Sequence, residues 1–347
     1  MASQLFLDSN SYLGMYSLSG KDIEQLQRFA ELVEMGKIKL LLPTQVIDEV
    51  RRNRARVVAD RLKALEDARI NAPIPQMATD FETSKKLKAA LAAAHQAHAE
   101  LVGELREKAQ TKELPADLLL ERLFKAAEVL TDASAVDRAS QRKALGNPPG
   151  KGNSLGDGVN WEILLSQCPN DRDLHLVSAD GDFSSPLDQS MFDDFLGEEW
   201  TWRKDSQISY YRDIKQFLDV KFPQIRLASD VRKYFLIESL IESGSFLETH
   251  NIVAQLISYG SFTVDEATRL LTGALENNQV RWLARDEDVK QLLHLAIRPH
   301  RNALPKSLVD KWDYLIAGRG LAYGPVPTPE DIAAPDPEPV DDDDLPF

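Results

Sequence analysis

Four acids stand where the chain passes from apolar to polar. Asp8 closes the run Gln4-Leu5-Phe6-Leu7, and Asp180 closes Leu174-His175-Leu176-Val177-Ser178-Ala179. Glu49 lies one turn into the amphipathic stretch after Pro43, and Asp157 stands in Gly156-Asp157-Gly158, where another such stretch opens. A lone aspartate at a strand end is most often a helix cap or a solvated turn; the four together point to a site, because α/β folds bind ligands beyond the carboxyl ends of their strands. Carboxylates gathered in one pocket raise each other's pKa. A divalent cation resolves that conflict, and Mg2+ or Mn2+ prefers such oxygen ligands. The chemistry this suits is phosphodiester hydrolysis, with the cation activating water and stabilising charge on phosphorus.

The elements that must hold these acids are readable from periodicity. Residues 1–75 read strand–helix–strand–helix: a buried strand ending at Asp8, a helix over 22–35 stopped by Gly36, a strand over 38–42, and a helix capped by Thr44. That alternation predicts a parallel α/β sheet. Residues 78–145, rich in Ala, Lys, Glu and Leu, read as a helical insertion of one or two long helices without strands. A Gly/Pro loop over 146–153 precedes a helix over 159–165, a third strand ending at Asp180, a last strand over 208–211 and a short helix to Lys221. From Ser229 to about Gly320 the pattern is helical, with a capping box at Thr263-Val264-Asp265-Glu266. The expected organisation is an α/β domain over 1–224 with helices on both faces of its sheet, an all-α domain over 228–320, and a disordered acidic tail over 322–347. Seven of the 18 prolines lie in that tail.

Several of these residues resemble a known family. Leu5-Phe6-Leu7-Asp8-Ser9-Asn10 resembles the opening of PIN-domain nucleases, and Pro43-Thr44-Gln45-Val46-Ile47-Asp48-Glu49 is similar to their second element. Gly146-Asn147-Pro148-Pro149-Gly150, followed by Leu155-Gly156-Asp157 and Asn160-Trp161-Glu162, is similar to a bacterial PIN-like subgroup once catalogued as a domain of unknown function. Ser178-Ala179-Asp180-Gly181-Asp182-Phe183 is similar to the closing strand motif. The resemblance spans about residues 3–222. It implies that Asp8, Glu49, Asp157 and Asp180 are catalytic and hold Mg2+ or Mn2+, with Asp182 as a further ligand. Asn10 and Ser178 would orient these acids. It further implies endonuclease action, usually on RNA. The C-terminal segment described below adds two alternatives: a single-strand or structure-specific DNA nuclease in repair or phage defence, and a non-catalytic scaffold recruiting repair factors. Asp48 points about 100° away from Glu49 on a helix and is left out.

Basic residues near the acids supply candidate phosphate contacts. Arg51, Arg52, Arg54 and Arg56 follow Glu49, and Lys151 lies in the Gly/Pro loop; an ordinary solvated face paired with Asp60, Glu66 and Asp67 is the competing reading of the arginines. The loop lacks the spacing of a nucleotide-binding phosphate loop. His95 and His98 read as a solvated helix face, and Trp200 and Trp202 as packing residues.

The net charge of −14 is uneven: −8 comes from residues 330–347, leaving −6 for the rest, so global charge does not exclude a nucleic-acid partner. The single cysteine, Cys168, excludes an internal disulfide. Without a long apolar run or a signal sequence, the expectation is a cytoplasmic protein with no membrane partner. Self-association stays open. The segment Asp341-Asp342-Asp343-Asp344-Leu345-Pro346-Phe347 resembles the C-terminal tip of bacterial single-stranded DNA-binding proteins. That resemblance implies docking on proteins that receive such a tip, the Asp run steering to a basic surface and Phe347 filling an apolar pocket.

Overall fold

A computed structural model describes residues 2–17, 20–68, 70–150, 154–225 and 228–317. Contacts divide the chain into two compact units, Met1–Ala228 and Ser229–Phe347.

The first unit is built on five parallel strands: β1 (Ser3–Leu7), β2 (Ile38–Pro43), β3 (Glu128–Leu130), β4 (Leu174–Val177) and β5 (Ile208–Tyr211). Their order is β3-β2-β1-β4-β5. The central strands are near-continuous apolar runs because a parallel sheet is covered on both faces; Leu5, Phe6 and Leu7 are fully buried. Register sets Phe6 opposite Leu41 on one side and Leu176 on the other. From β1 to β3 the sheet grows one way, and β4 and β5 grow the other. Right-handed crossovers therefore place helices on both faces, and the reversal opens a crevice between the carboxyl ends of β1 and β4.

The helices of this unit are α1 (Ser9–Gly14), α2 (Gly20–Glu34), α3 (Thr44–Glu66), α4 (Glu82–Thr111), α5 (Pro115–Ala126), α6 (Ala135–Ala144), α7 (Gly156–Gln167), α8 (Asp194–Lys204) and α9 (Ile214–Lys221). Gly36, at φ +67°, takes the left-handed conformation that ends α2 and turns the chain into β2. Behind the crevice, Trp161, Phe183 and Trp200 are fully buried, and the two tryptophan rings stand 5.7 Å apart.

Four expectations change. Residues 78–145 are not strand-free: after α4 and α5 the chain returns to the sheet as β3, pairing with β2. A three-residue edge strand is too short to show a period. Thr44 is the first residue of α3 rather than its cap, and Pro43 occupies the cap position without a side-chain hydrogen bond. His95 and His98 are not merely solvated: their Nε2 atoms lie 2.7 and 2.9 Å from the carbonyl oxygens of Ile70 and Leu65, tying α4 back along the end of α3. Trp200 packs in the core as expected, whereas Trp202 is 82% exposed.

The second unit comprises α10 (Ala228–Ile241), α11 (Phe246–Ile257), α12 (Val264–Glu276), α13 (Asn278–Trp282), α14 (Glu287–Ile297) and α15 (Lys306–Ile316). Its core gathers Val253, Leu270, Leu271, Leu292, Leu293 and Trp312. The capping box forms as read, with Thr263 Oγ1 accepting from Glu266 N at 3.3 Å and Glu266 Oε2 accepting from Thr263 N at 2.7 Å. A Cβ on Gly273 would overlap Ile241 Cγ1, so glycine is what lets α12 approach α10. Gly-Ser-Phe occurs at 244–246 and again at 260–262 without making a structural repeat: Ser245 caps α11, but at the second occurrence the cap falls two residues after Ser261, on Thr263. Among the described residues no helix is long and apolar enough to cross a membrane.

Candidate active site

Asp8 leaves β1 at the crevice and begins α1. Its Oδ1 accepts the Ser9 N–H at 2.6 Å, capping the helix, and its Oδ2 accepts the Ser178 hydroxyl at 3.1 Å. The same Ser178 oxygen accepts the Asp180 N–H at 3.1 Å, so one fully buried hydroxyl sets the positions of two acids. Asp180 stands three residues beyond the end of β4, and its Oδ2 accepts Asn10 Nδ2 at 3.0 Å. β5 joins the arrangement through Tyr210, whose hydroxyl donates to the Ser178 carbonyl at 2.8 Å.

Glu49 and Asp157 come from two different helices. Glu49 lies in the second turn of α3 and Asp157 in the first turn of α7. Gly156 eases their approach: a Cβ there would stand 3.2 Å from both Glu49 Oε2 and Gln45 Nε2, closer than ordinary van der Waals contact. Asp182 is in hydrogen-bond contact with Asp157. Asp48 is exposed, consistent with its exclusion.

The electrostatics bind the five acids into one group. Asp8, 1% exposed, is pushed up to about 6, first by burial and then, against the Ser178 and Ser9 hydrogen bonds, by the charges of Asp180 and Glu49. Asp157 is raised well above the ordinary carboxylate range by burial, by the charge of Asp8, by its side-chain hydrogen bond with Asp182 and by the charges of Asp182 and Glu49. Among the described residues none of these five carboxylates makes an ion pair.

Among the described residues no three Asp, Glu, His or Cys side chains are drawn tightly enough to hold a metal ion as they stand. The donor set nevertheless suits one. It is all hard oxygen, it carries more negative charge than its neighbourhood offsets, and among the described residues Asp8 Oδ2 accepts one hydrogen bond, from the Ser178 hydroxyl, while Oδ1 accepts both the N–H and, at 3.4 Å, the hydroxyl of Ser9, so a lone pair stays free on Oδ2.

The basic candidates divide. Arg54 is committed elsewhere, its Nη2 2.6 Å from Asp117 Oδ2 and its Nε 2.6 Å from Asp117 Oδ1, with Tyr16 donating to the same carboxylate at 2.6 Å. Arg51 and Arg52 are exposed on α3. Lys151 and the segment Asp341–Phe347 lie outside the described residues. Tyr210 and Arg212, at the carboxyl end of β5, had not been singled out as candidates. The signal was present, since a strand parallel to β4 must end at the same crevice.

A doubly wound parallel sheet with acids clustered at its switch point defines a ligand-binding α/β protein of the kind that uses carboxylates for metal-assisted chemistry. The sequence profile of the PIN domain matches residues 5–183, and the chain belongs to that family. PIN domains are generally metal-dependent nucleases that act on nucleic acids, typically with Mg2+ or Mn2+. No curated protein and no solved structure matches the chain.

Proposed function

We propose that the first unit is a divalent-metal-dependent endonuclease acting on RNA in preference to DNA. The observation that carries this reading is the convergence of Asp8, Glu49, Asp157, Asp180 and Asp182 at the β1/β4 crevice without a cationic partner among the described residues.

Asp8, Glu49, Asp157 and Asp180 would hold Mg2+ or Mn2+, with Asp182 beside them. When bound there, the cation supplies a lowered water pKa and charge stabilisation at phosphorus. The chain's own residues supply the positioning. Ser9 N and Ser178 Oγ hold the two oxygens of Asp8, and Asn10 holds Asp180, so the acids need little reorganisation. In the hydrolysis a water oxygen bonds to phosphorus and the bond to the leaving ribose oxygen breaks; a carboxylate of the cluster takes the water proton and returns it to solvent, and the leaving oxygen takes its proton from a solvent water. Arg51, Arg52 and Lys151 are the backbone-phosphate contacts in this reading. In the same reading Asp341–Phe347 recruits the protein to partners that accept an acidic Leu-Pro-Phe tip, and deletion of Phe347 should abolish that recruitment without slowing cleavage.

The test is cleavage of labelled RNA and single-stranded DNA in Mg2+, Mn2+ and chelator. Asp8→Asn and Asp180→Asn should abolish cleavage and weaken Mn2+ binding while the fold persists by circular dichroism. Undiminished cleavage in either variant, or in chelator, overturns the reading. Cleavage of DNA alone replaces RNA with the DNA-nuclease alternative, and intact substrate throughout leaves the scaffold.

A further inference from the structure

Beside the carboxylate cluster, on the β5 side, lies a cleft of about 320 Å³. Asn10, the residue that holds Asp180, lines it together with Arg212 and Lys215. Between them the wall is apolar, from Met15, Leu26 and Ile214. This size falls at the lower end of ordinary small-ligand pockets, about 300–1,000 Å³.

Arg212 is the unusual member. It is half-buried, yet it makes no ion pair among the described residues. Its Nη1 donates to the Tyr210 hydroxyl at 3.2 Å and to the Gln189 carbonyl at 3.3 Å. Tyr210 donates in turn to the Ser178 carbonyl at 2.8 Å, and the Ser178 hydroxyl holds Asp8. The guanidinium is thus fixed to the frame that fixes the acids, with donors of its planar fork left over. A fork so held matches the two oxygens of a phosphodiester. Lys215 adds a second positive charge at the rim, paired with Asp219 at 2.5 Å. The remaining acid, Asp213, spends its carboxylate capping α9, 2.7 Å from Gln216 N.

We propose that this cleft is a nucleotide subsite for the strand that reaches the carboxylates. Arg212 grips the backbone phosphate next to the scissile one, and Met15, Leu26 and Ile214 take the base between them. The inference rests on the nuclease reading, because a single-stranded nucleic acid is the occupant that presents an apolar base and an anionic diester side by side. It assigns the substrate a direction, away from α3 and toward β5.

The test measures strand binding apart from cleavage. Fluorescence anisotropy of a labelled oligouridylate is compared for Asp8→Asn protein and for Asp8→Asn carrying Arg212→Gln. Affinity should fall about tenfold, and the dependence of log affinity on log salt should flatten by about 0.7 for the one lost phosphate contact. Arg212→Lys should recover part of the loss. Lys215→Glu, at the exposed rim, sets a negative charge in the cleft; it should weaken binding even if Arg212→Gln fails to fold. In the otherwise wild-type protein Arg212→Gln should act on KM more than on kcat. Unchanged affinity in both wall variants overturns the subsite, as does an equal fall in kcat and kcat/KM. Hydrolysis of bis(p-nitrophenyl) phosphate in Mn2+, a diester too small to span the cleft, reports the carboxylates alone. Wild-type protein that binds strand through Arg212 but cleaves neither substrate overturns the nuclease reading and keeps the subsite. An equal loss on an oligothymidylate confirms a phosphate contact, and a loss on RNA alone adds a contact to the 2′-hydroxyl.

Discussion

Two carboxylates on one helix meet opposite fates. Asp157 and Glu162 lie five residues apart on α7, about 140° round its axis. Glu162 meets guanidinium groups: Arg142 Nε at 2.8 Å and Arg138 Nε at 3.0 Å. Arg142 continues to Glu199 Oε1 at 2.6 Å, and Trp161 Nε1 donates to Glu199 Oε2 at 2.8 Å. Asp157 meets other acids. The first region is a closed polar network in which each charge has its opposite, and it ties α6, α7 and α8 together. The second gathers carboxylates without a cationic partner among the described residues, and it is there that the proposed cation would sit. A buried acid is therefore structural or functional according to what the neighbouring helix presents to it.

That contrast can be broken from its structural side first. Arg142→Met leaves Glu162 and Glu199 buried with less compensation and should cost about 3–5 kcal/mol, read by urea denaturation. A loss under about 1 kcal/mol would mean that the paired region is as tolerant of lost partners as the acid cluster. On the functional side, Asn10→Ala frees Asp180 and should lower strand cleavage by about 10–100-fold, with a parallel fall in Mn2+ affinity measured calorimetrically. Undiminished Mn2+ affinity would show that Asn10 does not orient a ligand.

The smallest effect is on stability against pH, in chelator. Asp8 has a folded-state pKa raised above its ordinary value, so its neutral form favours folding, and stability is lost as pH rises through about 6. Asp8→Asn cannot ionise. It should melt above wild type at pH 8, with the gap closing below ~3.9, where aspartate is protonated in both states. An Arg142→Met variant gives the contrasting result, destabilised at pH 8. If Asp8→Asn melts below wild type at pH 8, the cluster is not a site of unrelieved repulsion.

Much of this was legible from residues alone. The runs Leu5–Leu7 and Leu174–Val177 read as core strands, the first apolar throughout and the second apolar but for His175, which is itself buried. Gly36 had to end a helix, and the acids after those strands had to share an end of the sheet. β3 was hidden because Glu128-Val129-Leu130 is an edge strand of three residues, set among helix formers. Arg54 read as one of a row of phosphate contacts, since nothing local to α3 reveals that Asp117, 63 residues on, claims it. Trp200 and Trp202 are separated by one residue and were indistinguishable by type, yet one is core and the other surface.

What the sequence determined by itself is where the hard oxygen donors fall, Asp8 and Asp180 after buried strands and Glu49 and Asp157 near helix starts, within a stretch that matches the PIN domain. Local pattern suffices for this because strand ends and helix starts are set by nearest neighbours. Only the tertiary structure decided which charges cancel. It brought Glu49 against Gly156, joined Asp8 to Asp180 through one hydroxyl, gave Glu162 two arginines and Asp157 none, and left Arg212 half-buried without an acidic partner among the described residues. Those outcomes depend on contacts between elements far apart in the chain, and a charge's energy depends on what stands within a few ångströms of it and on how much water remains there.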